Sequence, residues 1–172
     1  MTEAGVLTPS DRVELIGGEI LTVTPQKSRH ATAVSLANEA LRAVLGPHMH
    51  VRIQLPLAIG DDSEPEPDIA VVRGSIREYR DAHPQSAVPI IEVSDSTLAF
   101  DRHVKGSLYA RERVGEYWVV NLVDSVVETY REPTDDLAAR FAWSYARSDR
   151  MARTDSIALP FGGVVSVADL LP

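Results

Sequence analysis

The 172-residue sequence contains no cysteine, no long apolar run and no excess of basic residues. Without cysteine, the chain can form neither disulfides nor zinc or iron–sulfur centres held by thiolates. This fits a reducing compartment, so we expect a cytoplasmic protein. No stretch has the roughly 20 apolar residues of a membrane-spanning helix, and the first residues lack the pattern of a signal peptide. We therefore expect no membrane association.

The chain is acidic, with 17 Lys and Arg against 25 Asp and Glu and a formal net charge of −8. A broad basic surface for nucleic acid is not expected, because phosphate binding usually depends on clustered Lys and Arg. The charge does not exclude a nuclease. Acidic side chains gathered around a metal ion lower the net charge, and the bound cation reverses its sign locally.

The hydrophobic pattern predicts one α/β domain over residues 1–172. The glycine pair at 17–18 predicts a hairpin over 13–24, and Ser28 is predicted to cap a helix over 29–45. Alternating apolar residues predict a strand over 51–59. The other predicted elements are strands over 69–72, 88–93, 116–122, 126–131, 139–147 and 156–159, a helix over 101–113, a helical turn over 76–81 and a terminal turn from 167. This order predicts a mixed central sheet flanked by helices, with an N-terminal hairpin and a strand-rich C-terminal end.

Three residues have the chemistry of a metal-dependent hydrolase. Asp68 lies where an acidic turn becomes an apolar strand, and Glu92 is a carboxylate inside another apolar strand, where charge is costly unless it is paired or bound to metal. Lys105 lies in the helix that follows. Carboxylates, with the backbone carbonyl of Val93, could hold Mg²⁺ or Mn²⁺, and a lysine could stabilise the transition state of phosphodiester hydrolysis.

The spacing of these residues also allows structural roles. Asp68 could be a turn residue, Glu92 could form a buried ion pair with Arg52 or Arg73, and Lys105 could be an ordinary solvated residue. Structural ion-pair networks imitate functional sites, so the spacing alone leaves both interpretations open.

Several blocks of the sequence, in order, resemble the Uma-two family. The resemblance covers about residues 13–131, and the tail beyond it is not diagnostic. The blocks are ELIGGEI (14–20), SRH (28–30), SEPEPDIAVV (63–72), EVSDST (92–97), DRHVK (101–105), LYAR (108–111) and VGEYWVV (114–120).

This resemblance implies a restriction-endonuclease-like domain of the PD-(D/E)xK nuclease superfamily. It implies an endonuclease that uses Mg²⁺ or Mn²⁺, with DNA as the expected substrate and Asp68 and Glu92 as the two motif acids. Ser94 stands where the superfamily pattern has lysine, and the resemblance implies that Lys105 replaces it from the next helix. The alternative is a catalytically inactive nuclease-fold protein that binds nucleic acid or protein, and a third reading is a scaffold dimer with a structural ion-pair cluster.

Three further residues are candidates for accessory roles. Glu19 and His30 could reach the pocket, although a solvent-facing position is favoured for His30. Asp101 could help to hold the metal, although a helix-capping role is favoured. A homodimer is also expected, in which the hairpin over 116–131 pairs edge to edge with that of a second copy.

Overall fold

A six-stranded mixed sheet forms the centre of the computed structural model, which describes residues 12–22 and 25–172. The strands are β1 (Val13–Ile16), β2 (Glu19–Thr22), β3 (Met49–Ile53), β4 (Ile69–Arg73), β5 (Ile90–Ser94), β6 (Glu116–Asn121), β7 (Val126–Asp135), β8 (Trp143–Met151), β9 (Ser156–Ala158) and β10 (Val164–Ser166). The helices are α1 (Ser28–Val44), α2 (Leu98–Phe100) and α3 (Gly106–Arg111), with a π-helical turn at Asp101–Lys105 and 3₁₀ turns at Ile76–Tyr79 and Val167–Leu170. No helix in this described part is long and apolar enough to cross a membrane.

The central sheet has the order β3-β4-β5-β6-β7-β8. Only β5 and β6 run parallel, and every other neighbouring pair is antiparallel. A parallel pair needs a crossover connection, and α2, the π-helical turn and α3 provide it between β5 and β6. The predicted class, a mixed α/β sheet with an N-terminal hairpin and C-terminal strands, is confirmed.

The two faces of the sheet carry separate apolar clusters, because successive side chains of a strand point to opposite sides. Ile69 and Val71 of β4 face the buried residues of α1, whereas Ala70 and Val72 face the cluster that contains α3. Both sides of β4 and β5 are thus covered. A polar side chain in these strands must therefore find its partners within the protein.

The N-terminal hairpin forms as predicted. Gly17 and Gly18 have φ values of 57° and 79°, and a two-residue turn with positive φ at both positions matches the twist of the flanking strands. Ile16 pairs with Glu19 across this turn. Positions 23 and 24, at the end of the predicted hairpin, lie outside the described residues.

The strand predicted over 51–59 is wrong in its second half. Strand β3 ends at Ile53, and Gln54 adopts a φ of 49°, which turns the chain away from the sheet. Leu57 and Ile59 are nevertheless buried, so their alternating apolar pattern reflects a loop folded onto the core rather than a strand.

Several other boundaries differ from the prediction. Helix α1 includes Ser28, and its preceding residue, Lys27, makes no capping bond, so the predicted serine cap is wrong. The helix predicted over 101–113 starts earlier, at Leu98, and contains the π-helical turn. The strands predicted over 88–93 and 139–147 occupy later positions, as β5 and β8, and the pairing of β9 with β10 was not predicted.

The predicted edge-to-edge dimer through residues 116–131 is wrong. Strand β6 lies between β5 and β7, and β7 lies between β6 and β8, so the backbone groups of both strands are paired within the chain. In the part of the chain that the structure describes, the strands at the edges of the central sheet are β3 and β8. Neither belongs to the predicted hairpin.

Candidate active site

The antiparallel register of β4 and β5 brings Asp68 and Glu92 together. Ile69 pairs with Ile91, so Asp68 lies opposite Glu92 on the same face of the sheet. The Val93 N–H donates to Asp68 Oδ2 at 2.9 Å, and the Asp68 N–H lies 3.4 Å from Glu92 Oε2. Each carboxylate is therefore held by the backbone beside the other, and both residues are buried.

Lys105 joins this pair from the π-helical turn Asp101–Lys105. Its Nζ lies 2.9 Å from Glu92 Oε1 and 3.1 Å from Glu14 Oε2, so the amine bridges two buried acids. Tyr109, four residues later on the same helical face, donates its hydroxyl to Glu92 Oε1 at 2.8 Å. Among the described residues, Glu92 Oε1 thus has two donors, whereas Oε2 has only the long contact to the Asp68 amide.

The partner of Glu92 is not an arginine. Arg52 donates to the Pro56 carbonyl at 3.1 Å, and Arg73 is exposed. Lys105 is 6% exposed, which rules out the solvated position that its spacing also allowed. The structure therefore brings together the three side chains that the sequence singled out.

The cluster carries more negative than positive charge. Three buried carboxylates, those of Glu14, Glu92 and Asp101, act on the amine of Lys105, and a fourth, that of Asp68, lies beside Glu92. Burial raises the pKa of Glu92, and the charges of Asp68, Asp101 and Glu14 raise it further against the opposing effect of Lys105. Burial lowers the pKa of Lys105, but the neighbouring carboxylates outweigh this and raise it. Both directions indicate an environment that favours an additional cation.

The donor set fits Mg²⁺ or Mn²⁺ better than zinc. Within residues 12–22 and 25–172, no group of three or more His, Asp or Glu side chains is arranged to hold a metal ion by itself. Mg²⁺ does not require such a group, because it keeps several waters and is bound through one or two carboxylates and substrate phosphates. Asp68 and Glu92 offer two hard oxygen ligands of this kind.

His30 reaches the cluster, so the favoured solvent-facing position is wrong. Its Nε2 lies 3.1 Å from Asp68 Oδ2, and its side chain is 16% exposed. Burial lowers the pKa of His30, but the hydrogen bond and charge of Asp68, with the backbone of Val93, outweigh this and raise it. The first turn of α1 thus adds a second basic group beside Asp68.

The other two accessory residues behave differently. Asp101 is buried in the π-helical turn and accepts hydrogen bonds from Ser94 and from Thr97 Oγ1, the latter at 2.6 Å, so the helix-capping role is wrong. Its Oδ2 holds the start of the segment that carries Lys105. Glu19 does not reach the pocket, since it is exposed and pairs with Arg140 at 2.8 Å.

Glu14 and Tyr109 are site residues that the sequence reasoning missed. Glu14 shares the buried face of β1 with Ile16, and this alternation was a usable signal for a buried acid. The spacing of four residues between Lys105 and Tyr109 places both side chains on one side of the helix, and this was a usable signal for Tyr109.

Gln54 is the third missed residue. Its side-chain Nε2 donates to Asp68 Oδ1 at 3.0 Å, and its backbone N–H lies 3.1 Å from the Pro67 carbonyl and 3.2 Å from that of Asp68. Both oxygens of Asp68 therefore have a donor. No sequence signal marked Gln54. Its role depends on the end of β3 at Ile53, whereas the alternating apolar residues predicted a strand that continues to position 59.

An ion pair holds the π-helical turn against β7. Arg102 Nε donates to Glu128 Oε2 at 2.8 Å, and Asn121 and Tyr130 also donate to Glu128, at 2.8 and 2.7 Å. Burial acts to raise the pKa of Glu128, but these hydrogen bonds and the charge of Arg102 lower it to about 2. The folded state is therefore stabilised by the ionised form of Glu128.

We expect Glu128→Gln to lower the free energy of unfolding by about 2–4 kcal/mol at pH 7, because a buried charged partner is lost. The folded-state pKa lies below the ordinary value of 4.5, so this contribution is present above that value and declines as the pH falls toward 2. Urea denaturation at pH 7, 5 and 3.5 measures it. The exposed variant Glu39→Gln is the control, and a difference that does not shrink with falling pH would contradict the assignment.

Comparisons with known proteins give the family and the fold of the chain. The family model Uma2, described as "Putative restriction endonuclease", matches residues 3–159, which extends beyond the 13–131 of the sequence resemblance. The crystal structure of a "putative nuclease belonging to DUF820" from Anabaena variabilis ATCC 29413 is similar, with a TM-score of 0.70 and 16% identity. The similarity covers 98% of this chain and 94% of that one, and it shows the fold. None of the curated proteins matches the chain.

Proposed function

The chain belongs to the Uma2 family, and from this we propose that it is a divalent-metal-dependent endonuclease that hydrolyses phosphodiester bonds in DNA. The buried pair of Asp68 and Glu92 carries the proposal. Two carboxylates on one sheet face, with one amine beside them, are the groups that this chemistry needs. A purely structural cluster would gain more from equal numbers of acids and bases, because each uncompensated buried charge is costly.

The roles of the residues follow from their contacts. Asp68 and the less occupied Oε2 of Glu92 would ligate the metal, with the Val93 carbonyl as a further oxygen ligand. When bound, Mg²⁺ or Mn²⁺ would polarise the phosphate and lower the pKa of a bound water. Lys105, held between Glu92 and Glu14, would counter the charge that develops on the phosphate in the transition state.

His30 would assist at the more open side of the cluster. The His30 side chain is partly exposed. Hydrogen bonding to Asp68 favours the protonated form of His30. A protonated imidazole at this position could contact a phosphate oxygen of the substrate. Glu19 is excluded from such a role by its surface position.

We further propose that the protein acts on DNA as a homodimer in the cytoplasm. Two copies would supply two sites for the two strands of a duplex. The free edges of β3 and β8 are the places where backbone pairing with a second copy is possible. A monomeric mass in light scattering would remove the dimer without affecting the proposed chemistry.

The wild-type protein provides the direct test. We expect isothermal titration to show Mn²⁺ binding, and we expect supercoiled plasmid to be nicked in Mg²⁺ or Mn²⁺ and left intact in EDTA. Nicking should appear over the range of Mn²⁺ concentrations in which calorimetry shows binding. Protein that binds no Mn²⁺ and leaves plasmid intact would refute the proposal.

An inactive nuclease-fold protein that binds nucleic acid or protein is the second candidate. The net charge of −8 and the serine at position 94 favour it. The same experiments separate the two functions. Mn²⁺ binding without nicking of plasmid, single-stranded DNA or RNA would support the second candidate and contradict the first.

A further inference from the structure

We propose that Gln54 positions Asp68 for metal binding, an inference that rests on the proposed function. Ile53 of β3 pairs with Ile69 of β4 in antiparallel register. Gln54, which follows Ile53, therefore lies opposite Asp68, which precedes Ile69. Asp68, just before β4, lies opposite Glu92 of β5 in turn, so the three residues occupy neighbouring positions at this end of the strands. Gln54, the first residue after β3, is therefore placed where its side chain reaches Asp68 Oδ1.

The contacts of Gln54 fix Asp68 twice. The side-chain amide donates to Asp68 Oδ1 at 3.0 Å, and the backbone N–H lies 3.2 Å from the Asp68 carbonyl. The other oxygen, Oδ2, is held by the Val93 N–H at 2.9 Å and faces His30. With both oxygens held, the carboxylate plane is set before a metal arrives. Oδ1, which has the Gln54 amide as its donor among the described residues, keeps a lone pair for a cation.

The backbone of Gln54 indicates that this arrangement is maintained against strain. Its φ of 49° lies in the left-handed region, which glycine or asparagine adopts more readily than glutamine. Four other described non-glycine residues have positive φ, namely Arg113, Ser125, Glu132 and Ala142. Among these five, Gln54 is the one whose side chain bonds a proposed metal ligand. Strained backbone of this kind is often found at functional sites.

The test compares Mn²⁺ affinity with folding stability. Gln54→Met keeps the side-chain length and removes the donor, and Gln54→Gly removes both the donor and the left-handed strain. We expect both variants to weaken Mn²⁺ binding in calorimetry by about 10–100-fold, the usual effect of losing a partner of a ligating residue. The Mn²⁺ concentration for half-maximal nicking should rise by a similar factor, and saturating Mn²⁺ should restore most of the rate.

A merely structural role for Gln54 would give a different result. The denaturation midpoint would fall in both variants while the Mn²⁺ affinity of the folded protein stayed unchanged, and this outcome would overturn the inference. Gln54→Gly provides the readout if Gln54→Met does not fold. Gln85→Met, at an exposed glutamine, is the matched control and should bind Mn²⁺ like the wild type. Wild-type protein that binds no Mn²⁺ would overturn the proposed function as well, whereas equal binding by wild type and variants overturns this inference alone.

Discussion

Replacing Lys105 with methionine is expected to reduce plasmid nicking by about 10²–10³-fold or more, the effect of losing one group that stabilises transition-state charge. The Lys105 amine lies 2.9 Å from Glu92 and is almost fully buried, so no other side chain can replace its charge without rearrangement. Methionine fills a similar volume without the amine. The initial rate of nicking at saturating Mn²⁺ measures the loss.

Lys105→Met also removes the only amine between Glu14 and Glu92, so loss of activity could reflect loss of folding. Breaking a buried ion pair from one side costs about 3–5 kcal/mol. The double variant Glu14→Gln/Lys105→Met removes one of the two opposed acids and should recover much of this stability. If the folded double variant regains nicking, Lys105 has only a structural role.

Lys27→Met is the matched control for Lys105→Met. Lys27 is the other lysine of the chain, and its side chain is 71% exposed in a surface pair with Asp95. Surface pairs contribute about 0–1 kcal/mol, so stability should hardly change. A comparable loss of nicking in both lysine variants would point to general loss of positive charge rather than to the position of Lys105.

The central part of the candidate site was predictable because it depends on local sequence signals. Asp68 and Glu92 stand out as single acids at or inside apolar strands, and such acids need partners wherever both sheet faces are covered. The antiparallel register of two adjacent strands then places them opposite each other. Lys105 follows in the crossover that a parallel pair requires.

The remaining parts depend on contacts between distant segments. Glu14 meets Lys105 across 91 positions of sequence, and nothing local to either residue specifies that contact. His30 depends on how the first turn of α1 lies against Asp68. Gln54 depends on a left-handed residue that ends β3, whereas the continuing apolar alternation indicated an uninterrupted strand. Periodicity detects burial but does not distinguish a strand from a loop folded onto the core.

Asp68→Asn gives the second large expected effect, a loss of Mn²⁺ binding by more than the 10–100-fold typical of residues that only support a ligand. One carboxylate of the proposed donor pair disappears, while the size of the side chain is kept. The carbonyl oxygen of the new asparagine side chain can still accept from the Val93 N–H. The Gln54 side-chain amide can rotate so that its oxygen accepts from the new asparagine NH₂ group. The change therefore removes charge with little disturbance of the surrounding hydrogen bonds.

Metal should stabilise the wild type but not this variant. Without metal, Asp68→Asn relieves repulsion among the buried acids Glu14, Asp68, Glu92 and Asp101, so its melting temperature should equal or exceed that of the wild type. At 100 times the dissociation constant, Mn²⁺ should stabilise the wild type by about 2.7 kcal/mol, or about 5–10 °C. The variant should not respond. A wild-type melting temperature that is insensitive to Mn²⁺, or a variant that shifts equally, would contradict a metal site at Asp68. A stable variant without the metal response would show that the surplus of negative charge serves a cation at the expense of the metal-free fold.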